Sequence, residues 1–319
     1  MRQGWTTPTR SRPLALLTAL LIAGCGGATP APSLSPNNAT TQATPSAEAS
    51  PSAEASPSVE ASPFPSATPS ASGLEAELVT AGSFTYCVNL RPGPMSFLDD
   101  SGKPAGVDIE IAQEIARRLG LTPEIKQLPF AALIDAVAGG QCDISISAQH
   151  ITSTRLQRID MLPYAQGTQH VVVRAGNPAR IVVLTDLCGK VLAVQTGSTH
   201  VDLVLGQGDH AGAGIDRDCA SAGKPNVDLR TFDDDAAAVA ALAAGTADAY
   251  IGSDFVAIDR PKEFQLATAL PPVRNGIGLP KDHPTLRAAV DGAVQAMIGD
   301  GTYLAILKKW GVEGLSIAK

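Results

Sequence analysis

The amino-acid sequence predicts an α/β protein of two lobes, each a mostly parallel sheet flanked by helices, preceded by a disordered tether. Three observations carry this reading. Residues 28 to about 73 are nearly all Ala, Ser, Pro, Thr and Glu, with too few apolar side chains to offset the entropy of an ordered backbone. From Phe84 onward, strand-like runs alternate with helix-periodic runs as β-α-β-α-β, which implies a parallel sheet with helices on its faces. The same alternation returns mid-chain, so a second unit and a cleft between the two are expected.

The N-terminal elements come first. Arg2, Arg10 and Arg12 precede the apolar run "LALLTALLIA" (Leu14–Ala23). That run is far short of the roughly 20 residues a membrane-spanning helix needs. Basic residues before a short apolar core predict a secretory signal over residues 1–24. The following "IAGC" (Ile22–Cys25) resembles the lipobox of bacterial lipoproteins, which implies a lipidated Cys25 and an exported chain. The anchor would lie on the outer face of the cell membrane, or on its periplasmic side. Residues 25–73 then form the linker, with "PSAEAS" at 45 and 51 and "PSVEAS" at 57, partly in polyproline II. At roughly 3 Å per residue its upper reach is ~140 Å.

The folded part begins with the strand "FTYCVNL" (Phe84–Leu90). In "GVDIEIAQEIARRLG", Val107, Ile111, Ile115 and Leu119 recur at helical spacing and Gly120 stops the helix. "PEIKQL" (123–128) reads as a strand, "FAALIDAVAGG" (130–140) as a helix and "CDISIS" (142–147) as the next strand. The second unit has the strand "KVLAVQTGS" (190–198), the helix "THVDLVLG" (199–206) and the strand "NVDLRTF" (226–232). The helix "DDDAAAVAALAAG" follows, capped by Asp233 and stopped by Gly245, and then the strand "ADAYIGSD" (247–254). "NGIGLP" (275–280) reads as a strand, and two helices close the chain, the first with Pro284 in its first turn.

Composition excludes several classes. A net charge of −7 with no basic run argues against nucleic acid as a partner. Apart from Cys25 there are Cys87, Cys142, Cys188 and Cys219, an even number in an exported chain. None is spaced as C-x-x-C and no His stands at ligand spacing, so no metal site is expected. Three pairings are open. Cys87–Cys142 with Cys188–Cys219 is favoured because each pair then falls in one expected lobe.

In open α/β sheets, ligands bind beyond the carboxyl ends of the strands. That rule selects Asn89, Ser147 to Arg155, Thr196 to Thr199, and Ser253–Asp254. Around these residues five segments, in order from about Phe84 to Val312, resemble one group: "GVDIEIAQEIARRLGL", "FAALIDAVAGGQCDISISAQHITSTRLQRIDMLPYAQGTQHVVV", "DLCGKVLAVQTGS", "AAAVAALAAGTADAYIGSD" and "GIGLPKDHPTLRAAVDGAVQAMIGDGTYLAILKKWG". They are similar to the extracellular solute-binding proteins of amino-acid ABC transporters, bacterial family 3. The resemblance implies a two-lobed type 2 periplasmic-binding-protein fold: lobe 1 from residues 74–169 and 275–319, lobe 2 from 170–274, closing on a small-molecule ligand by a hinge. It also places Cys188 with Cys219 in lobe 2. The implied partners are a membrane permease and its ATPase, with the lipid anchor holding a monomeric binding protein and no cofactor.

The resemblance assigns Arg155, just after a Thr152 N-cap, to the ligand's α-carboxylate, which suits the planar guanidinium fork. Phe130 would stack on the ligand. Phe97 is an aromatic candidate that can equally be core, with Met95 as the alternative lining residue. Ser147 and Ala148 would meet the ligand through their backbone. Thr196, Gly197 and Ser198 would offer amides to the same carboxylate from lobe 2, and Gln195 would touch the ligand side chain. Two departures stand out. His150 replaces the family's Thr, and Ser253 stands where the family has an Asp for the ligand's ammonium, with Asp254 one residue later. Asn89, where relatives often have Asp, argues against a strongly basic ligand. Two other readings share the fold: a secreted cyclohexadienyl (arogenate) dehydratase-like enzyme with His150 as acid, and a ligand-binding sensor.

Overall fold

The computed structural model describes residues 71–91 and 93–318. The readings for the signal segment, Cys25 and most of the linker lie outside them. The linker was expected to reach residue 73, but helix α1 (Ala71–Glu77) already begins at Ala71. Leu74 anchors it in the core. Its Glu77 carboxylate accepts hydrogen bonds from the amides of Thr285 (3.2 Å) and Leu286 (2.7 Å), where the positive end of a later helix favours an anion.

The elements then follow in order. Strand β1 is Ser83–Val88, and a small antiparallel pair is β2 (Phe97–Leu98) with β3 (Pro104–Ala105). Helix α2 (Val107–Leu119) buries Val107, Ile111 and Ile115 and ends on Gly120 in the left-handed region. Next come β4 (Thr122–Gln127), α3 (Leu133–Ala138), β5 (Ile144–His150), the single turn α4 (Ser153–Leu156) and β6 (Asp160–Arg174). The second unit has β7 (Val191–Gln195), α5 (Thr199–Leu205), α6 (Ile215–Ser221), β8 (Asp228–Phe232), α7 (Asp235–Ala244), β9 (Ala249–Ile251) and α8 (Phe255–Asp259). Strand β10 (Phe264–Leu279) returns, and α9 (Pro284–Gly299) and α10 (Thr302–Lys309) close the chain.

The strands run in the order β4-β1-β5-β10-β6-β9-β7-β8. Pairing is parallel among β4, β1 and β5 and among β9, β7 and β8, whereas β6 and β10 are antiparallel to each other. This long pair joins the two parallel sheets. Along β6, Val171 and Val173 face one core of the second lobe and Val172 faces another, because successive side chains alternate across a strand. The first lobe has its own core around Tyr86, Ile115, Tyr164, Ile277 and Tyr303.

Three expectations need correction. The strand read over 142–147 starts at Ile144 and continues to His150, so His150 is its last residue and not part of a polar loop. The cap of α7 is Asp234, whose carboxylate accepts from the Ala236 amide at 2.8 Å, and not Asp233. The strand read over 275–280 is only the end of a sixteen-residue strand. Pro271 and Pro272 hid the rest, since proline argues against a strand interior. The structure accommodates them at a register shift between Leu270 and Val273.

Cys87 is bonded to Cys142 and Cys188 to Cys219, with Cα separations of 5.9 and 5.5 Å. The second bridge closes a segment with sequence separation 31. In the chain-entropy description such a loop contributes about 3–4 kcal/mol. Calorimetric unfolding of a C188A/C219A double variant is therefore expected to show a Tm lower by about 7–14 °C. A shift below about 2 °C would mean that the bridge is energetically idle.

Candidate functional site

Where the two lobes meet, a cavity of about 360 Å³ opens beside β6 and β10. The first lobe lines it with Arg91, Met95, Phe130, Ala148, His150 and Arg155. The second contributes Gln195, Ser198, Thr199, His200, Asp235 and the Ser253–Asp254 pair, and the joining strands add Gln169 and Asn275. Apolar wall comes from Phe255, Val273, Val312 and Leu315.

Arg155 sits one turn beyond β5. Thr152 caps that turn and accepts the Arg155 amide at 3.2 Å. The guanidinium donates through Nη1 to the His150 carbonyl (2.9 Å) and through Nη2 to the Gly197 carbonyl of the other lobe (3.2 Å). It also lies 5.6 Å from the Phe130 ring centroid, within cation–π range. Burial pushes its pKa down to about 10, so it remains charged at neutral pH. It has no carboxylate ion pair among the described residues.

A chain of polar side chains crosses the cavity. His150 Nδ1 lies 2.6 Å from Thr199 Oγ1, and Gln169 Nε2 lies 3.1 Å from His150 Nε2. At its other end Gln169 Oε1 accepts from His200 Nε2 at 3.2 Å. The consistent assignment has Gln169 donating to a neutral His150, whose remaining proton points to Thr199. The two imidazoles meet edge to face, with centroids 5.6 Å apart. Burial, the neighbouring imidazole and the Arg155 and Arg91 charges hold the pKa of His150 well below the usual value. Burial first, then Arg91 and Arg155, brings His200 to about 3. Among the described residues no three His, Cys, Asp or Glu side chains gather as a metal site.

These depressed values set a pH dependence. The unfolded chain binds protons at both histidines below about pH 6.5, while the folded chain keeps them neutral. Stability contributed by this pair is therefore present above pH 6.5 and lost as pH falls toward 3. For His200 alone the loss between pH 6.5 and 5 is roughly 2 kcal/mol. Urea titrations at pH 7.5 and 5 are expected to show it, with a smaller difference in His200→Gln. Because Asp108, raised by burial to about 6, acts in the opposite direction, the difference between the native chain and His200→Gln is the readout, and an equal pH response in the two would contradict the assignment.

Several residues selected from the sequence line the cavity: Phe130, Ala148, His150, Arg155, Gln195 and Ser198, and also the Ser253–Asp254 pair. Others are placed elsewhere. Phe97 packs edge-on against Trp310 at 5.4 Å, and it is Met95 that reaches the cavity. Ser147 is fully buried, and its hydroxyl exchanges hydrogen bonds with the Asn89 backbone, holding β1 and β5 together at their ends. Ala148 adopts φ 43°, rare for a residue with a side chain, and its amide donates to Tyr164 Oη at 2.9 Å. The Ala148 amide is therefore not free for a ligand. Asn89 lies outside the cavity and accepts Gln195 Nε2 of the other lobe at 2.9 Å.

The turn after β7 also differs from expectation. The Thr196 amide donates to Phe232 and the Ser198 amide to Gln195, so these amides do not face an anion. What the turn presents is the Gly197 carbonyl, held by Arg155, and the Ser198 hydroxyl. The buried Ser198 Oγ and Asn275 Oδ1 have no hydrogen-bond partner among the described residues, and both residues line the cavity. Buried polar atoms are nearly always paired, so these two, like Gln149 Nε2 in the first lobe, are exceptions. Asp254 is engaged instead: the His170 amide and Nδ1 each donate to one of its oxygens at 2.8 Å.

The sequence reading missed Arg91, Gln169, His200 and Asp235. Only Arg91 left a signal, two residues past Asn89 at the end of β1. Asp235 is buried at the start of α7 and accepts the Tyr250 hydroxyl on both oxygens (2.8 and 2.9 Å). Burial raises its pKa.

A cavity lined from two lobes, with an unpaired guanidinium and orphaned polar atoms, defines a protein built to hold a small molecule between the halves of its chain. The pattern of the bacterial extracellular solute-binding proteins, family 3, matches residues 85–313, and the chain belongs to that family. The L-cystine-binding protein TcyJ of Escherichia coli (strain K12) is 27% identical over 223 residues, covering 68% of this chain and 78% of TcyJ. An ancestral arginine-binding protein bound to arginine superposes with a TM-score of 0.64 at 30% identity, covering 72% of this chain and 98% of that one. The ancestral amino acid-binding protein AncCDT-1, a precursor of cyclohexadienyl dehydratase, gives a TM-score of 0.60 at 27% identity, covering 72% and 95%.

Proposed function

We propose that this chain is the solute-binding lipoprotein of an ABC importer, anchored outside the cell membrane through Cys25. It captures a small carboxylate-bearing solute, an amino acid by kinship with its relatives, and passes it as a monomer to the permease. The observation that carries the reading is Arg155. This guanidinium faces the interlobe cavity with no carboxylate partner among the described residues, while gripping the Gly197 carbonyl of the opposite lobe. A solute carboxylate on Arg155 thus couples binding to contact between the lobes, which supports capture by hinge closure. In this reading residues 74–169 with 275–319 form one rigid half and 170–274 the other.

Each site residue has a part. Phe130 offers an aromatic face, Met95 an apolar wall, and Gln195 with Asn89 a bond that latches the halves. Ser198 and Asn275 supply the two free polar atoms. The enzyme reading requires His150 to be an acid. Its depressed pKa leaves it neutral at neutral pH, which favours a polar positioning group. The test is calorimetry on residues 74–319 against the amino acids and arogenate, with the solute recovered and weighed by mass spectrometry. Tight binding with unchanged solute is expected. Turnover of arogenate, or absence of any carboxylate ligand, would overturn the proposal.

A further inference from the structure

Arg91 is the one cavity guanidinium that the reading above leaves without a task. It follows β1 on the first lobe and lines the same cavity as Arg155. Its guanidinium donates through Nη2 to the Ser147 carbonyl at 3.4 Å, a long contact for a charged donor. Like Arg155, it has no carboxylate ion pair among the described residues. Burial raises the carboxyls of Asp108, to about 6, and Asp235 and lowers the imidazole of His200; the Arg91 charge reaches all three, opposing the rise at the two acids and adding to the fall at His200.

The cavity's acids do not offset these two cations equally. Asp254 has both oxygens engaged by His170. Asp235 is the remaining cavity carboxylate, already bonded to Tyr250. His150 and His200 are tied into the Gln169 chain as neutral groups. Two partly buried guanidiniums that line one cavity without carboxylate partners present it with two positive charges and free donors, which anionic groups from outside would match.

Resting on the binding function proposed above, we infer that the solute carries two anionic groups, one carboxylate on Arg155 and a second on Arg91. A monocarboxylate leaves one cation unmatched, and a cationic side chain is repelled by Arg91. The remaining carboxylate, Asp235, is positioned to decide whether the solute also carries an ammonium. The solute class is thus a short dicarboxylate, either an acidic amino acid or its amino-free counterpart.

The test uses the full chain in calorimetry with glutamate, aspartate, glutarate and succinate, and with glutamine, asparagine and arginine as comparison solutes. At least one diacid is expected to bind 30-fold or more tightly than the best monoacid or cationic solute. The glutamate–glutarate and aspartate–succinate pairs report whether the ammonium is read. Arg91→Gln is expected to lower diacid affinity at least 30-fold while changing glutamine or asparagine affinity less than threefold, and Arg91→Lys is expected to retain most diacid binding. If a monoacid or arginine binds best and Arg155→Ala abolishes it, the dianion inference fails and the binding function stands. An equal effect of Arg91→Gln on diacids and amides also overturns the inference. If no carboxylate solute binds, both fail.

Discussion

Arg155→Ala is expected to abolish solute binding, with an affinity loss of 10²- to 10³-fold. Each hydrogen bond to a charged partner is worth roughly 1.5–3 kcal/mol, and a guanidinium fork presents two of them to a carboxylate. The substitution also removes the contact with Phe130 and the bond to Gly197 across the cleft. The carboxylate bonds are lost only from the bound state, whereas the Phe130 contact and the Gly197 bond are lost from the solute-free chain as well. A modest fall in thermal stability is therefore expected beside the large loss of affinity. Arg155→Lys should lie between, since an ammonium supplies the charge without the planar fork. Titration calorimetry beside thermal unfolding separates these effects. A loss smaller than about tenfold, roughly 1.4 kcal/mol, would remove Arg155 from the proposed clamp.

Gly197→Ala is expected to weaken binding roughly 10- to 100-fold by a different route. A Cβ on Gly197 would stand 2.7 Å from the Cα and Cβ of Ala131, closer than side-chain carbons approach. Ala131 belongs to the short turn Phe130–Ala132 of the first lobe, and Gly197 to the turn after β7 in the second. The clash therefore exists where the lobes touch. Overpacking of this kind costs about 1–3 kcal/mol. The positive φ of 75° adds about 1 kcal/mol of strain whether or not the lobes meet. Only the clash enters the proposed closing step. X-ray scattering should show the variant staying extended in solute. Native affinity in Gly197→Ala would count against closure at this contact.

Much of the fold was legible because local chemistry and tertiary role agree. In α2 the apolar spacing that predicts a helix is the spacing that faces the first core, and Gly120 stops it in the conformation a glycine tolerates. The joining strands were not legible from periodicity. β6 is interrupted by Pro163 and Gly167 and β10 by Pro271 and Pro272, which break the strand pattern in both. Their backbone groups are satisfied mainly by each other, a pairing that brings residue 160 beside 279. No local window contains that information.

The site divides in the same way. Residues beyond strand ends, such as Arg155 and Ser198, could be named because parallel sheets send their carboxyl ends toward one edge, and Gln195 only through the family resemblance. The sequence by itself determined the α/β alternation, the cystine-compatible lobes and the place of Arg155 just beyond a strand end. The tertiary structure decided what each group still has free. It bonded Asn89 to Gln195, engaged Asp254 with His170, tied His150 to His200 through Gln169, and placed Arg91 at the cavity. The physical reason is that a side chain's capacity to bind is what remains after its neighbours have been satisfied, and those neighbours come from distant parts of the chain.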